Sequence, residues 1–128
     1  MRLLLDTHIW LWFNLEPERL PAPCTAALAD SQSEIVVSVA SVWELSIKHK
    51  LGKIDVGGPF LPFVDGALED IELLDVRLSH VRRGYDLPLL HRDPFDRILI
   101  AQAFAEGLTL LTVDSSMPQY GVPILASS

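Results

Sequence analysis

DPFDRILIAQAFAEGLTLLTVD, residues 93–114, passes from a well-marked helix into a buried strand and ends on an acid. Asp93 is a capping residue type, and Pro94 suits a first turn, where no backbone N–H is required. Ile98, Ala101, Gln102 and Ala105 continue the helix to Gly107, a residue that stops helices. Leu108 to Val113 is then an apolar strand leading into Asp114. A helix feeding directly into a largely apolar strand, repeated along a chain, argues for a parallel sheet covered on both faces.

The same alternation runs outward through the chain. Leu3 to Leu5 reads as a short buried strand closing at Asp6, and Ile9 to Phe13 begins a helix that Pro17 and Pro21 end or interrupt. Cys24 to Ala29 is a second short helix. Ile35 to Val39, β-branched and apolar, is a strand followed by a helix from about Val42 to Lys50, stopped by Gly52. Pro59 to Leu68 reads as helix, Ile71 to Val76 as strand, Leu78 to Arg83 as a short helix and Leu87 to Arg92 as loop. Ser115 to Gln119 forms a turn or short helix and Val122 to Leu125 a last strand. The expectation is one α/β domain over residues 1–128, a three-layer sandwich with a central parallel sheet of about five strands. No internal repeat, low-complexity tract or linker interrupts it.

Composition bounds the function. Hydrophobic residues are 49% and charged residues 21%, which marks a compact domain rather than a disordered one. No apolar run approaches the roughly 18 residues of a membrane span. The opening MRLLLDTHIWLWF is broken by Asp6 and His8 and lacks a following small-residue cleavage site, so it does not read as a targeting signal. The single cysteine, Cys24, has no internal disulfide partner; a buried bystander thiol in a cytoplasmic protein is the expectation. Net charge is −7 and the isoelectric point about 4.9, which excludes a broad basic face for gripping nucleic acid. Any RNA contact must be local and assisted by cations.

Four acids stand where an open α/β sheet places its ligands, beyond the carboxyl ends of the strands. Asp6 follows strand one and Asp114 follows the Leu108–Val113 strand. Glu44 lies shortly after strand two, in the first turn of its helix, and Asp96 opens the helix leading into the Leu108–Val113 strand. Each has a purely structural explanation as well. Ser41-Val42-Trp43-Glu44 fits a capping box, and Asp93 and Asp96 suit the positive end of a helix. Asp6 and Asp114 fit ordinary caps. Gathered at one edge, however, the acids repel by roughly 3 kcal/mol per pair at about 5 Å and a dielectric near 20. Protons or cations must neutralise such a cluster. With only hard oxygens and no zinc-like Cys or His spacing, Mg²⁺ or Mn²⁺ is indicated, an ion able to activate water and stabilise charge on a phosphodiester.

These segments, LLLDTHIWLW, SVASVWELSIKHKLGKI, LPLLHRDPFDRILIAQA and LTLLTVD, with Tyr120 and VPIL after them, resemble the PIN domain and more narrowly the VapC-type toxins of bacterial toxin–antitoxin pairs. The resemblance covers nearly the whole chain, and DPFDR with AQA and SVWE are its most specific parts. It implies strand order 3-2-1-4-5 and an acidic tetrad at Asp6, Glu44, Asp96 and Asp114. It also implies Mg²⁺- or Mn²⁺-dependent endoribonuclease activity leaving a 5′-phosphate and a 3′-hydroxyl. Asp6 and Asp96 would hold the principal metal, with Glu44 and Asp114 completing its shell directly or through water. A homodimer and a cognate antitoxin protein that wraps the toxin are implied too.

Around this core, Asp93 reads as a helix cap with a lesser role beside the metal, and Thr7 and Ser41 as caps or as orienters of ligands. Lys48, Lys50 and Lys53 around His49 sit at a helix end, where cations are favoured with or without RNA. Arg82, Arg83, Arg92 and Arg97 are better candidates for RNA phosphates, the last two because they flank the site, with pairing to local acids the alternative for most of them. Trp10, Trp12, Phe13 and Trp43 suit a core, a dimer face or a groove for a partner helix. His8, His80 and His91 read as structural. Two rivals remain: an aspartyl-phosphate protein, for which no lysine follows Lys53, and a binding module that has lost its chemistry. A dinucleotide fold is excluded because Asp-Thr-His follows the first strand in place of a Gly-rich turn.

Overall fold

The computed structural model describes residues 1–89, 93–114, 120–121 and 124–125. The expected Ser115–Gln119 turn, His91 and Arg92 lie outside the described residues. Five parallel strands form the sheet: β1 (Arg2–Leu5), β2 (Glu34–Ser38), β3 (Glu72–Leu74), β4 (Thr109–Leu111) and a two-residue β5 (Ile124–Leu125). Their order is β3-β2-β1-β4-β5, as the resemblance implied. The helices are α1 (Thr7–Leu15), α2 (Ala22–Ala29), α3 (Val39–Lys50), α4 (Phe60–Ala67), α5 (Leu78–Tyr85) and α6 (Pro94–Glu106), with a 3₁₀ turn at Pro17–Arg19. No helix among the described residues is long and apolar enough to cross a membrane.

Alternation along the strands divides the core into two layers. Leu4, Val36 and Leu110 point to one face, where Leu99, Ile100 and Ala103 of α6 cover them. Leu3, Leu5, Val37 and Leu111 point to the other, under Ile9 and Trp10 of α1, Cys24 of α2, Leu45 of α3 and Ala67 of α4. Strand positions are apolar on both faces because neither face meets water. Cys24 is buried, as its solitary status suggested.

The best-marked element forms as read. Asp93 accepts hydrogen bonds from the N–H groups of Phe95 (2.9 Å) and Asp96 (3.4 Å), and Gly107 ends α6 in the left-handed conformation at φ 67°. α3 differs from its expectation. It begins at Val39, because the Ser38 hydroxyl accepts the Ala40 N–H at 3.0 Å and caps it there. The apolar Val39 had extended the strand reading by one residue and delayed the helix. Glu44 therefore lies in the second turn, and the capping box from Ser41 does not form.

His80 clamps α5 to α6. It is fully buried; its Nδ1 accepts the Arg77 N–H at 3.0 Å, so Nε2 carries the proton and donates to Glu106 at 2.7 Å. That bond, before all other influences, holds the Glu106 carboxyl below its ordinary value of 4.5. A carboxylate with a depressed folded-state value contributes stability above the unfolded value and loses it as pH falls through the folded one. Glu106→Gln is accordingly expected to be less stable than wild type at neutral pH. The difference between the two proteins should shrink below about pH 4.5 and vanish on further acidification, as urea melts across pH would show. A difference independent of pH would assign the loss to packing.

Candidate active site

β1 and β4 deliver two of the four acids. The Asp6 N–H continues the sheet ladder to the Leu111 carbonyl at 2.9 Å, after which Asp6 turns the chain into α1 and accepts the His8 N–H at 2.7 Å. Its other carboxyl oxygen accepts from the Thr112 hydroxyl, which in turn accepts the Asp114 N–H at 3.0 Å. One threonine thus positions the acids that end both central strands. Thr112 is a site residue beyond the four acids, and its place two residues before Asp114 in LTVD, where its hydroxyl oxygen can accept the Asp114 N–H as an ST-turn, is the sequence signal for it.

The other two come from helices. Glu44 projects from α3, with Oε1 accepting from Thr7 at 2.7 Å and Oε2 from Lys48 at 2.7 Å. Thr7 also lies 3.0 Å from the Ser41 hydroxyl, so the threonine at the start of α1 is an orienter and Ser41 supports it. Asp96 stands in the first turn of α6, half-buried.

Asp6, Glu44, Asp96 and Asp114 all line a single cavity of about 160 Å³. Asp93 joins them on its wall while capping α6, and Lys48 and His8 complete it. His8 is therefore a wall residue, contrary to its reading as merely structural, whereas buried His80 is the structural residue expected. Arg97 is corrected as well. Its guanidinium donates to the carbonyls of Pro88 and Gly84, each at 2.9 Å, and the residue does not line the acidic cavity. It fastens the end of α5 and the following loop to α6, and among the described residues Lys48 is a cation on the wall of the acidic cavity.

Burial dominates the electrostatics. Asp6 is 5% exposed, and desolvation pushes its carboxyl above the usual carboxylate range. The bonds from Thr112 and the His8 N–H pull the other way, and the nearby Glu44 charge pushes it further up. The Cys24 thiol is raised by burial and by the Asp6 charge, which excludes it as a ready nucleophile. Among the described residues, no three carboxylate or imidazole groups already stand as an ion-holding set. The acids occupy the walls, with Asp6 and Glu44 held by hydroxyl and ammonium donors. Even so, the donor chemistry fits a hard divalent cation: all five acids offer oxygen, and a cation would relieve the cost of charging a buried carboxyl.

A parallel sheet ordered β3-β2-β1-β4-β5, with acids from β1, α3, α6 and β4 around one cavity, agrees with the PIN domain, whose family model matches residues 3–123. The chain belongs to the PIN-domain family. In sequence it is similar to ribonuclease VapC22 of Mycobacterium tuberculosis, at 27% identity over 122 residues, which covers 94% of this chain and 93% of that protein. In structure it is similar to VapBC2 from Rickettsia felis bound to a promoter DNA fragment, with a TM-score of 0.74 and 19% identity over 97% of this chain and 96% of that one. It is also similar to a toxin–antitoxin complex from Klebsiella pneumoniae, with a TM-score of 0.62 and 18% identity over 98% and 97% of the two chains. At those identities the structural likeness concerns the fold.

Proposed function

We propose that this chain is a metal-dependent endoribonuclease and the toxin of a toxin–antitoxin pair, acting in the cytoplasm on RNA. The observation that carries the reading is the convergence of Asp6, Glu44, Asp96 and Asp114, distant in sequence, on one cavity in a PIN-domain chain. Similarity to a named ribonuclease supports the activity, and similarity to a toxin–antitoxin complex supports the antitoxin partner.

Asp6 and Asp96 are the principal ligands for Mg²⁺ or Mn²⁺, with Glu44 and Asp114 completing the set. When bound, such an ion neutralises charge on the scissile phosphate and makes water a better nucleophile. The chain's own residues supply orientation. Thr112 fixes which Asp6 lone pairs face the cavity, and Thr7 does the same for Glu44. A carboxylate of the cluster takes the proton released as water attacks phosphorus in line with the P–O3′ bond, which breaks so that the 3′-oxygen leaves and is protonated from solvent.

Association with protein partners, a second copy of the chain and the antitoxin, is part of the same reading. Trp43 is 63% exposed and meets Phe95 edge-on at 5.2 Å, on an apolar hollow of about 380 Å³ shared with Val39, Val76 and Ile98. So large an exposed apolar surface suits burial against protein.

The test is incubation of purified chain, stripped of any partner, with total RNA and Mg²⁺ or Mn²⁺, beside EDTA and Asp96→Asn. Cleavage lost in both controls is expected. Cleavage that persists in Asp96→Asn would assign the activity to another site or a contaminant, and well-folded wild type that cuts nothing would sink the proposal.

A further inference from the structure

The acidic cavity is not closed at Lys48. A second cleft, of about 330 Å³, shares Glu44, Lys48 and Asp93 with it and continues between the end of α3 and the first turn of α6. Lys53 also lines this cleft, with Ile47, Leu51 and Phe95 as apolar wall.

The two lysines are brought together by the way α3 ends. Gly52, at φ 73°, lets the chain reverse, so that the Lys53 N–H donates to the Lys48 carbonyl at 2.8 Å and the Gly52 N–H to that of His49 at 3.0 Å. This is the Schellman arrangement, in which the positions now held by Lys48 and Lys53 commonly carry an apolar pair that closes the turn. Two ammonium groups there repel each other and forgo that contact. Glu44 compensates one of them, whereas Lys53 is exposed and has no carboxylate partner among the described residues. On a chain of net charge −7, two cations side by side next to the acidic cavity give an anionic substrate a local foothold, beyond what the helix end alone draws from them.

Resting on the ribonuclease reading, we propose that a single-stranded RNA chain leaves the acidic cavity along this cleft. Lys48 and Lys53 bind consecutive phosphates beside the scissile one, while Leu51 and Phe95 receive a base face. Lys48 exchanges its contact with Glu44 for a phosphate oxygen when a divalent cation takes over the carboxylate. Phosphate contacts carry no sequence information, so the pair supplies affinity and register and leaves the choice of target to other parts of the surface. The aromatic ring of Phe95 suits base stacking, which is tolerant of sequence in the same way, and Leu51, 64% exposed, offers an apolar contact beside it.

The experiment is the salt dependence of binding, read by fluorescence anisotropy of a labelled random-sequence RNA oligonucleotide in Ca²⁺ and, separately, in EDTA. For single strands the slope of log K against log salt is about −0.7 per phosphate contacted. In Ca²⁺, Lys48→Gln and Lys53→Gln are each expected to flatten the slope by about 0.7, and the double variant by about 1.4, with affinity falling alike for unrelated sequences; in EDTA, where Lys48 stays on Glu44, only Lys53→Gln should flatten it. Lys48→Arg, which keeps the charge, should retain the wild-type slope. Lys50→Gln, on the same helix but outside the cleft, should leave slope and affinity unchanged.

A wild-type slope in the double variant, from protein that still melts cooperatively, overturns the proposal while leaving the ribonuclease reading intact if wild type cleaves RNA. An equal effect of Lys50→Gln also overturns it, because the lysines would then act as a diffuse field. Wild type that neither binds nor cleaves RNA removes the ribonuclease reading itself, and this inference with it.

Discussion

Asp6→Asn is expected to lose at least about 10³-fold in metal-dependent RNA cleavage while the metal-free protein becomes more stable. The opposite signs have one cause. Asp6 is nearly fully buried, and both burial and the neighbouring Glu44 charge oppose its ionisation. Asparagine keeps an oxygen for the His8 N–H and offers an amide to Thr112, so the hydrogen-bond frame survives without the charge. The metal-free Tm should rise, because the cost of charging a buried carboxyl is removed.

The pH dependence fixes the sign. Because the folded-state value of Asp6 is raised, the folded protein holds its proton more tightly than the unfolded chain, whose value is the ordinary 3.8. Stability from this group is full below that value and is lost as pH rises through the raised one. The advantage of Asp6→Asn is therefore largest at neutral pH and disappears near pH 3.8 and below. Mn²⁺ should raise the wild-type Tm at neutral pH and raise that of Asp6→Asn much less. Scanning calorimetry with and without Mn²⁺, beside cleavage assays, reads all of these. A destabilised variant with ordinary activity would make Asp6 a helix cap and no ligand.

Trp10→Ala is expected to cost about 3–5 kcal/mol, the range for removing a buried tryptophan. Against a total of about 5–15 kcal/mol for domains of this kind, that is a large share, and the Tm should fall by roughly 10–30 °C. Trp10 has no exposed surface, and its indole Nε1 donates to the Ala67 carbonyl at 3.1 Å, so it joins α1 to the end of α4. Trp10→Phe should recover most of the packing and lose only the bond to Ala67, about 1 kcal/mol beyond the difference in volume. Denaturant titration distinguishes the variants. A loss near 1 kcal/mol for Trp10→Ala would mean that α1 is not anchored through this residue.

The three other large aromatic groups named with Trp10 show where sequence reading ends. Trp10, Trp12, Phe13 and Trp43 look alike in a pattern of short apolar helices, yet only Trp10 is fully buried. Trp12 is half-covered with the Arg19 guanidinium 4.5 Å above its ring, Phe13 is also half-buried, and Trp43 stands largely in solvent. Which turn of a helix meets the sheet depends on where the helix starts. For α3 that start was displaced by the choice of Ser38 over Ser41 as cap, a competition between two hydroxyls three residues apart.

By itself the sequence determined the order of strands and helices, the identity of the four acids and the hard-ligand chemistry they offer. Those features are local: apolar runs cannot remain in water, Asp93 and Gly107 set the ends of α6, and acids one and three residues beyond β1 and β4 emerge at the sheet edge. Only the tertiary structure decided which side chains hold those acids and which cations reach them. Thr112 joins Asp6 to Asp114, Thr7 reaches Glu44 across 37 positions, Arg97 donates to the carbonyls of Pro88 and Gly84, and Lys48 lines the cavity beside Glu44. Such contacts depend on the register of neighbouring strands and on the rotation of helices about their own axes. A shift of one residue in either turns a side chain from the cavity to the core or to solvent, and no local propensity fixes that choice.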